Sequence, residues 1–319
     1  MAQQQPKVRK LNGYVYAKGT AEGFLRMQRQ GIPRPVFSIE NRFKNVLKKA
    51  YDKIVRKILR EFMVQVHTAG IKVKSGELTT DAEGDDLQLL MSFFEDMRRQ
   101  EEEARNAEKA VQLKSSLMSA ATNLESSWDT ENPVPIGEDF ENEVAKILLQ
   151  NQQDYTKRLS SDASGKMADI LRSFSIDKRE LYNENMDNLR TLYLNNTVER
   201  IGWEENWLKK QLLEKINDYV TGKSDTLDIE EVTKGLLHDS ARMAQFFARD
   251  QLSRLNKATT LSTFVNAGVT KVKWVTTHDV RVRASHKALD GQVFDIRNLP
   301  DEIDDYNCRC GLVPVEWAE

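Results

Sequence analysis

A chain of 319 residues, 30% of them charged and 39% hydrophobic, has room for two domains, and either half can bury a core of its own. Such a composition shares its apolar residues out in stripes, as amphipathic helices do, and no apolar run approaches the roughly 20 residues that span a bilayer. The formal net charge of -2 hides an asymmetry: residues 7 to 60 hold 15 Lys and Arg against Glu22, Glu40 and Asp52, about +12, which leaves about -14 elsewhere.

The start, MAQQQPKVRK, lacks the apolar core of a signal peptide, so the expectation is a soluble chain not exported by the usual route. Residues 1–37 mix basic residues with glycine, proline and scattered aromatics (Tyr14, Tyr16, Phe24). No period of 3.6 or 2 is sustained there, and the segment reads as a basic arm or an irregular lead-in. From Ser38 the pattern changes. Phe43, Val46, Leu47, Ala50, Ile54, Ile58, Phe62 and Val66 recur at three- and four-residue steps up to Gly70, the signature of an amphipathic helix with a basic outer face.

A polar stretch from Lys72 to Gly84 precedes a second periodic run that begins near Asp85 and carries Leu90, Phe94, Met97, Ala107, Val111 and Met118. The prolines of NPVPIG, residues 132–137, break it as a linker or sharp turn. Helical spacing resumes with Val144, Ile147, Leu148, Tyr155 and Leu159 and stops at the SSDASG cluster of 160–165. Asp177 with Glu180 has the form of a capping box before Leu181, Leu189 and Leu192, and Ile201, Leu208, Leu212 and Ile216 continue on one face to Gly222. Asp228 with Glu231 repeats the arrangement ahead of Leu236, Met243, Phe247 and Leu255, with a stop at Gly268.

After Gly268 the pattern turns to strands: KVKWV (271–275), GQVFDI (291–296) and GLVPV (311–315). Short strands need a covering face, so they are expected to pack on the preceding helices. The fold class predicted is mainly α with long N-terminal amphipathic helices and a small α+β C-terminal domain. The parts are a lead-in over 1–37, a helical region over 38–225 and the α+β domain over 226–319.

The chemistry-bearing residues crowd into this tail. The only cysteines, Cys308 and Cys310, are too close in sequence for an easy mutual disulfide, which suits a reducing compartment. On a strand they would face one way about 6.6 Å apart, so both could turn toward one ion that His286 and His278 complete, zinc being the metal such donors suit. The plainer reading, and the preferred one, is a pair of small buried thiols with no cofactor. His278, Asp279 and His286 likewise admit a general base with its carboxylate. No phosphate loop, serine elbow or carboxylate cluster completes such a site, and the reading preferred is that Asp279 caps a turn while Arg281, Arg283 and His286 hydrogen-bond across the fold. Trp274 reads as core, Gly291 as a turn residue, and Arg249 as a solvated or salt-bridged helix residue. In the basic front, Lys7, Arg9, Lys10, Arg26 and Arg29 are candidates for phosphate contact, with an acidic protein partner as an equal alternative.

The order of these features resembles the conserved domain of the Mu F-like and SPP1-type head-morphogenesis proteins of tailed bacteriophages. The features are a helix with ARD at Arg249, the stop at Gly268, Trp274, Asp279, Arg281, Arg283, His286, the Leu289-Asp290-Gly291 turn, Cys308-Arg309-Cys310 and Pro314-Val315. The likeness covers roughly the last 80 residues. One departure is the approach DDYNCRC, where the family often carries a proline and a histidine, so no fourth metal ligand is implied. The resemblance implies a non-enzymatic minor capsid protein that lies in the virion near the portal vertex after assembly in the host cytoplasm. Portal protein and major capsid protein would be its partners, packaged DNA a further one, and no membrane is involved in the head. Related domains also occur fused to toxins, so carriage inside the head is part of what the likeness implies. The alternatives are an enzyme delivered with the genome and a DNA-binding internal head protein.

Overall fold

The computed structural model describes residues 8–11, 14–17, 27, 30–33, 35–69, 99, 107–127, 137–161, 165–224, 227 and 229–318. Its first elements are two short strands, β1 (Val8–Leu11) and β2 (Tyr14–Ala17), paired antiparallel with Val8 opposite Ala17 and Leu11 opposite Tyr14. The lead-in therefore holds regular structure that its composition did not suggest.

Seven α-helices follow among the described residues: α1 (Phe37–Thr68), α2 (Ala107–Ser127), α3 (Glu138–Leu159), α4 (Lys166–Arg172), α5 (Ile176–Val220), α6 (Ile229–Asn266) and α7 (Ala284–Leu289). Among those residues no helix is long and apolar enough to cross a membrane. The sheet order is β4-β3-β5, all antiparallel, from β3 (Val269–Val275), β4 (Val293–Asp295) and β5 (Gly311–Trp317). The fold is mainly α with a small C-terminal sheet.

Helical periodicity explains the α1 and α3 cores directly: Phe43, Leu47, Ile54, Ile58, Phe62 and Val66 are buried, as are Val144, Ile147, Leu148, Tyr155 and Leu159. In α2 the buried stripe is Leu117, Ala120, Ala121 and Leu124, while Val111 and Met118 are exposed. One residue along a helix is a turn of about 100°, which is enough to carry Met118 off the stripe that Leu117 occupies. α5 shows the same displacement: Tyr182 and Met186 are buried and Leu181 and Leu192 exposed.

The start of α5 is capped by Ser175, whose Oγ accepts the Lys178 amide at 3.3 Å, and Asp177 lies inside the first turn. A hydroxyl one residue ahead of the helix meets the amide three residues on, and Asp177 instead supports the positive helix end. The helix ends at Gly222, with φ +77°, where the Lys223 amide bonds the Asp218 carbonyl and the Gly222 amide that of Tyr219. That left-handed position is one that residues with a Cβ resist. Asp228, the long run before Arg99 and, apart from Gly137, the proline break lie outside the described residues.

The chain divides into two compact units, each assembled from separated segments. One contains Leu47–Gly137 and Val198–Ala244. Its core holds Ile54, Ile58, Phe62, Leu117, Leu124, Ile201, Leu208, Leu212 and Ile216, each burial contributing roughly 1.5–3 kcal/mol before entropy is counted. Buried ionic groups accompany it: Lys209 and Glu205 pair at 2.6 Å one turn apart, and Arg200 reaches Glu204 at 2.6 Å. Burial, with Glu204 adding, drives the Tyr51 phenol far above its ordinary pKa.

The other unit contains Met1–Val46, Glu138–Thr197 and Gln245–Glu319. Phe264, Val269, Val272, Trp274, Leu312 and both cysteines form its main cluster with Leu159 and Met167. A second cluster joins Met27, Ile32 and Phe37 to Val275, so part of the lead-in covers the sheet. Gly311 permits this: a Cβ there would stand 2.7 Å from Ile32 Cγ2. Between α3 and α6 run polar ties, with Asn151 Nδ2 donating to Asn256 Oδ1 at 2.8 Å and Tyr155 Oη 3.1 Å from Thr260 Oγ1.

Candidate functional site

β3 is the middle strand, and its inward residues Val272 and Trp274 are fully buried. Beyond Val275 the chain turns under carboxylate control. Asp279 Oδ1 accepts the Arg281 amide at 2.8 Å, as a turn-capping aspartate should. Asp290 Oδ1 accepts the Thr276 amide at 2.7 Å and Oδ2 lies 2.6 Å from His278 Nε2. Gly291 takes φ +82°, which lets its amide reach the Trp274 carbonyl at 2.8 Å and start the return strand. The expected strand 291–296 is thereby shortened to Val293–Asp295.

His278 consequently belongs to this turn, where Asp290 meets it, and not to the cysteine cluster. In place of the alternative general-base arrangement of His278, Asp279 and His286, Asp279 caps its turn, as the preferred reading had it, and His278 and His286 each meet a different aspartate, Asp290 and Asp305. Arg281 contributes its backbone amide to the turn and its residue is exposed, so among the arginines only Arg283 is seen to cross the fold with its side chain from this segment. Arg283 donates to the Tyr306 carbonyl at 2.7 Å and to Asp305 Oδ2 at 3.3 Å.

His286 sits on the six-residue helix α7, with its ring edge-on to Trp274 at a centroid distance of 5.6 Å. Nδ1 lies 3.3 Å from Cys308 Sγ and 3.4 Å from Cys310 Sγ, and Nε2 lies 2.7 Å from Asp305 Oδ2. All three residues are buried and their donor atoms lie within 4.8 Å of one another. The cysteines reach this point from a turn preceding β5, where Asn307 has φ 52° and the Cys308 amide bonds the Asp305 carbonyl, not from a strand as the spacing suggested. The intervening Arg309 turns the opposite way and its Nη2 donates to both carboxylate oxygens of Glu40, at 3.0 and 2.8 Å. Arg249 pairs with the same carboxylate at 3.5 Å.

The acidic loop before the cysteines is held by one face of α6. Asp250 accepts the Asn307 amide at 2.6 Å, Ser253 donates to the Cys308 carbonyl at 2.8 Å, Arg254 to the Asp304 carbonyl at 2.8 Å, and Lys257 to the Ile303 carbonyl at 2.7 Å. These four are spaced i, i+3, i+4, i+7, the spacing of a single helical stripe. Sequence reading singled out none of them for this, although a polar stripe at helical spacing just ahead of the tail was there to find.

Electrostatics bind the two thiols into one unit. Cys308 is lowered to about 5, first by the hydrogen bond from Cys310, then by Lys257, the Cys310 amide and His286 against the opposing effect of burial. Cys310 is pushed the other way by the same bond and by burial. Asp305 is held below the usual carboxylate range by the bond from His286, with Arg283 and Lys257 adding to it. A cavity of about 40 Å³, room for a water molecule, borders Cys310, Lys257 and Gly311.

Pro314 stands on the edge strand β5 opposite Val272, where its missing amide donor costs little. Of the candidate phosphate contacts, Arg9 and Lys10 stand in β1, and Lys7, Arg26 and Arg29 lie outside the described residues.

The fold and these contacts define a helix-braced, three-stranded domain organised around a buried His-Cys-Cys cluster. Residues 210–313 match the family described as phage Mu protein F like protein. An uncharacterized protein of Haemophilus influenzae is 36% identical over 116 residues, which are 34% of this chain and 26% of that protein. The match therefore spans about a quarter of the length of this curated relative. No solved structure matches the chain.

Proposed function

We propose that the chain is a minor head protein of a tailed phage, built into the head near the portal vertex and acting by docking in assembly, genome packaging or ejection. The observation that carries this is the match of residues 210–313 to the phage Mu protein F like family. The tail domain suits a docking role, because its loop is fixed by Arg283 and by the α6 stripe, and little order is lost when a pre-shaped surface binds. Portal protein and major capsid protein are the proposed partners, and the virion is the proposed location. No catalytic residue is assigned.

A basic front with 15 Lys and Arg between Lys7 and Arg60 favours a second reading, an internal head protein that neutralises packaged DNA. Capture of the purified full chain on immobilised portal protein from the same phage, with a salt series, separates the two. Retention by portal protein that persists at moderate salt is expected. Retention by DNA alone, falling steeply with salt, would move the function to the basic front.

A further inference from the structure

We propose that His286 Nδ1, Cys308 Sγ and Cys310 Sγ bind one zinc ion, with water as the fourth ligand, and that this ion cross-links α7 to the Cys-Arg-Cys turn.

The spacing of the donors carries the inference. A tetrahedral zinc with bonds of about 2.3 Å to sulfur and about 2.05 Å to nitrogen places sulfur and nitrogen about 3.6 Å apart. The two separations found, 3.3 and 3.4 Å, are each close to that edge. A small outward movement of one ring seats the ion without rearranging the backbone.

The ring is also turned the right way. Asp305 Oδ2, 2.7 Å from Nε2, fixes the proton there, which leaves the Nδ1 lone pair facing both sulfurs. A carboxylate behind a histidine that ligates through its other nitrogen is a recurring arrangement in zinc sites, because it sets the tautomer and strengthens the donor. The Cys310 amide lies 3.3 Å from Cys308 Sγ, a donor placed to stabilise a thiolate. Two thiolates and a neutral imidazole cancel the ion's double charge, so the buried cluster ends neutral.

Hydrogen bonding alone accounts for the cluster less well. Nδ1 has one lone pair and faces two sulfurs at similar distance, while S–H groups are weak donors and sulfur a weak acceptor. An ion uses all three donors at once. The DDYN approach, which brings no histidine, supplies Asp305 for the ring instead.

Because Cys308 and Cys310 are the only cysteines of the chain, any thiolate-to-metal absorption reports this cluster without the need of a variant. The test uses the full chain, expressed in zinc-supplemented medium and kept reduced. Bound metal is quantified by mass spectrometry, the chain is stripped with a chelator, and Co²⁺ is titrated in. The result expected is one zinc per chain, and near-ultraviolet thiolate-to-cobalt absorption that saturates at one equivalent and is displaced by zinc. Cys308→Ser should abolish that absorption, and if this variant fails to fold the wild-type titration still decides. A reduced, folded chain with no zinc and no such absorption at excess cobalt overturns the proposal. So does bound zinc with no thiolate signature, which would put the ion elsewhere.

Discussion

Asp305 stands directly behind the ring of His286, its Oδ2 2.7 Å from Nε2, so one carboxylate sets which nitrogen of the imidazole turns toward Cys308 and Cys310. Asp305→Asn keeps all three cluster donors and removes the charge behind the ring, together with the ion pair to Arg283. Its zinc affinity, measured by competition with a chromophoric chelator, is expected to fall about 10- to 100-fold, the usual cost of losing such a partner. Unchanged affinity would mean that the ring is held by Trp274 packing alone.

Glu40 joins the first helix to the cysteine turn through Arg309 and to α6 through Arg249. Glu40→Gln would leave two guanidinium groups facing a neutral amide in a half-buried place, and about 1–3 kcal/mol of stability should be lost. A urea-denaturation midpoint measures it, and a shift within error of zero would make the contact a surface pair of the weak kind.

Asn151 and Asn256 meet at 2.8 Å between α3 and α6, both buried. Asn151→Leu strands the Asn256 oxygen and should cost roughly 1–3 kcal/mol, whereas exchanging both for leucine should recover most of that, since no polar group is then left without its partner. Thermal unfolding of the two single variants and the double variant closes the cycle, and additive losses would contradict direct coupling.

Burial pushes the Tyr155 phenol up to about 12 from its ordinary 10.0, the bond with Thr260 pulling weakly against it. The folded value is the raised one, so the stability this site contributes is complete below about pH 10 and is lost as pH rises from there through about 12. Tyr193 is raised to about 12 by burial as well. Tyr155→Phe should therefore unfold at higher pH than the wild type, followed by circular dichroism through the alkaline range. Thr260 keeps a partner in that variant, because its hydroxyl already donates to the Asn256 carbonyl at 2.9 Å.

Periodicity made the long helices legible, since Ile54, Ile58 and Phe62 or Ile201, Leu208 and Leu212 can be buried together only on a helix. Alternation did the same for β3. It failed where one residue decides the face, as with Met118 beside Leu117, and where a dipeptide signal was passed over. Asn12-Gly13 is a strong hairpin signal, and it lies between the residues that form β1 and β2. In the site, the motif residues were visible one by one, but their partners were not. Nothing in the spacing of His278 and Asp279 tells that Asp290 meets the one and Asp305 the other histidine, because those pairs are made by turns distant in sequence. The assembly of each compact unit from separated segments was hidden for the same reason.

The central claim is that this chain is a component of a phage head, and it is tested most directly by quantitative mass spectrometry of heads purified from the phage that encodes it. The full chain is expected in purified heads, in few copies relative to major capsid protein, recovered with the portal when heads are dissociated. Heads that assemble, package DNA and infect while containing none of it would rule out a role for the chain in the head.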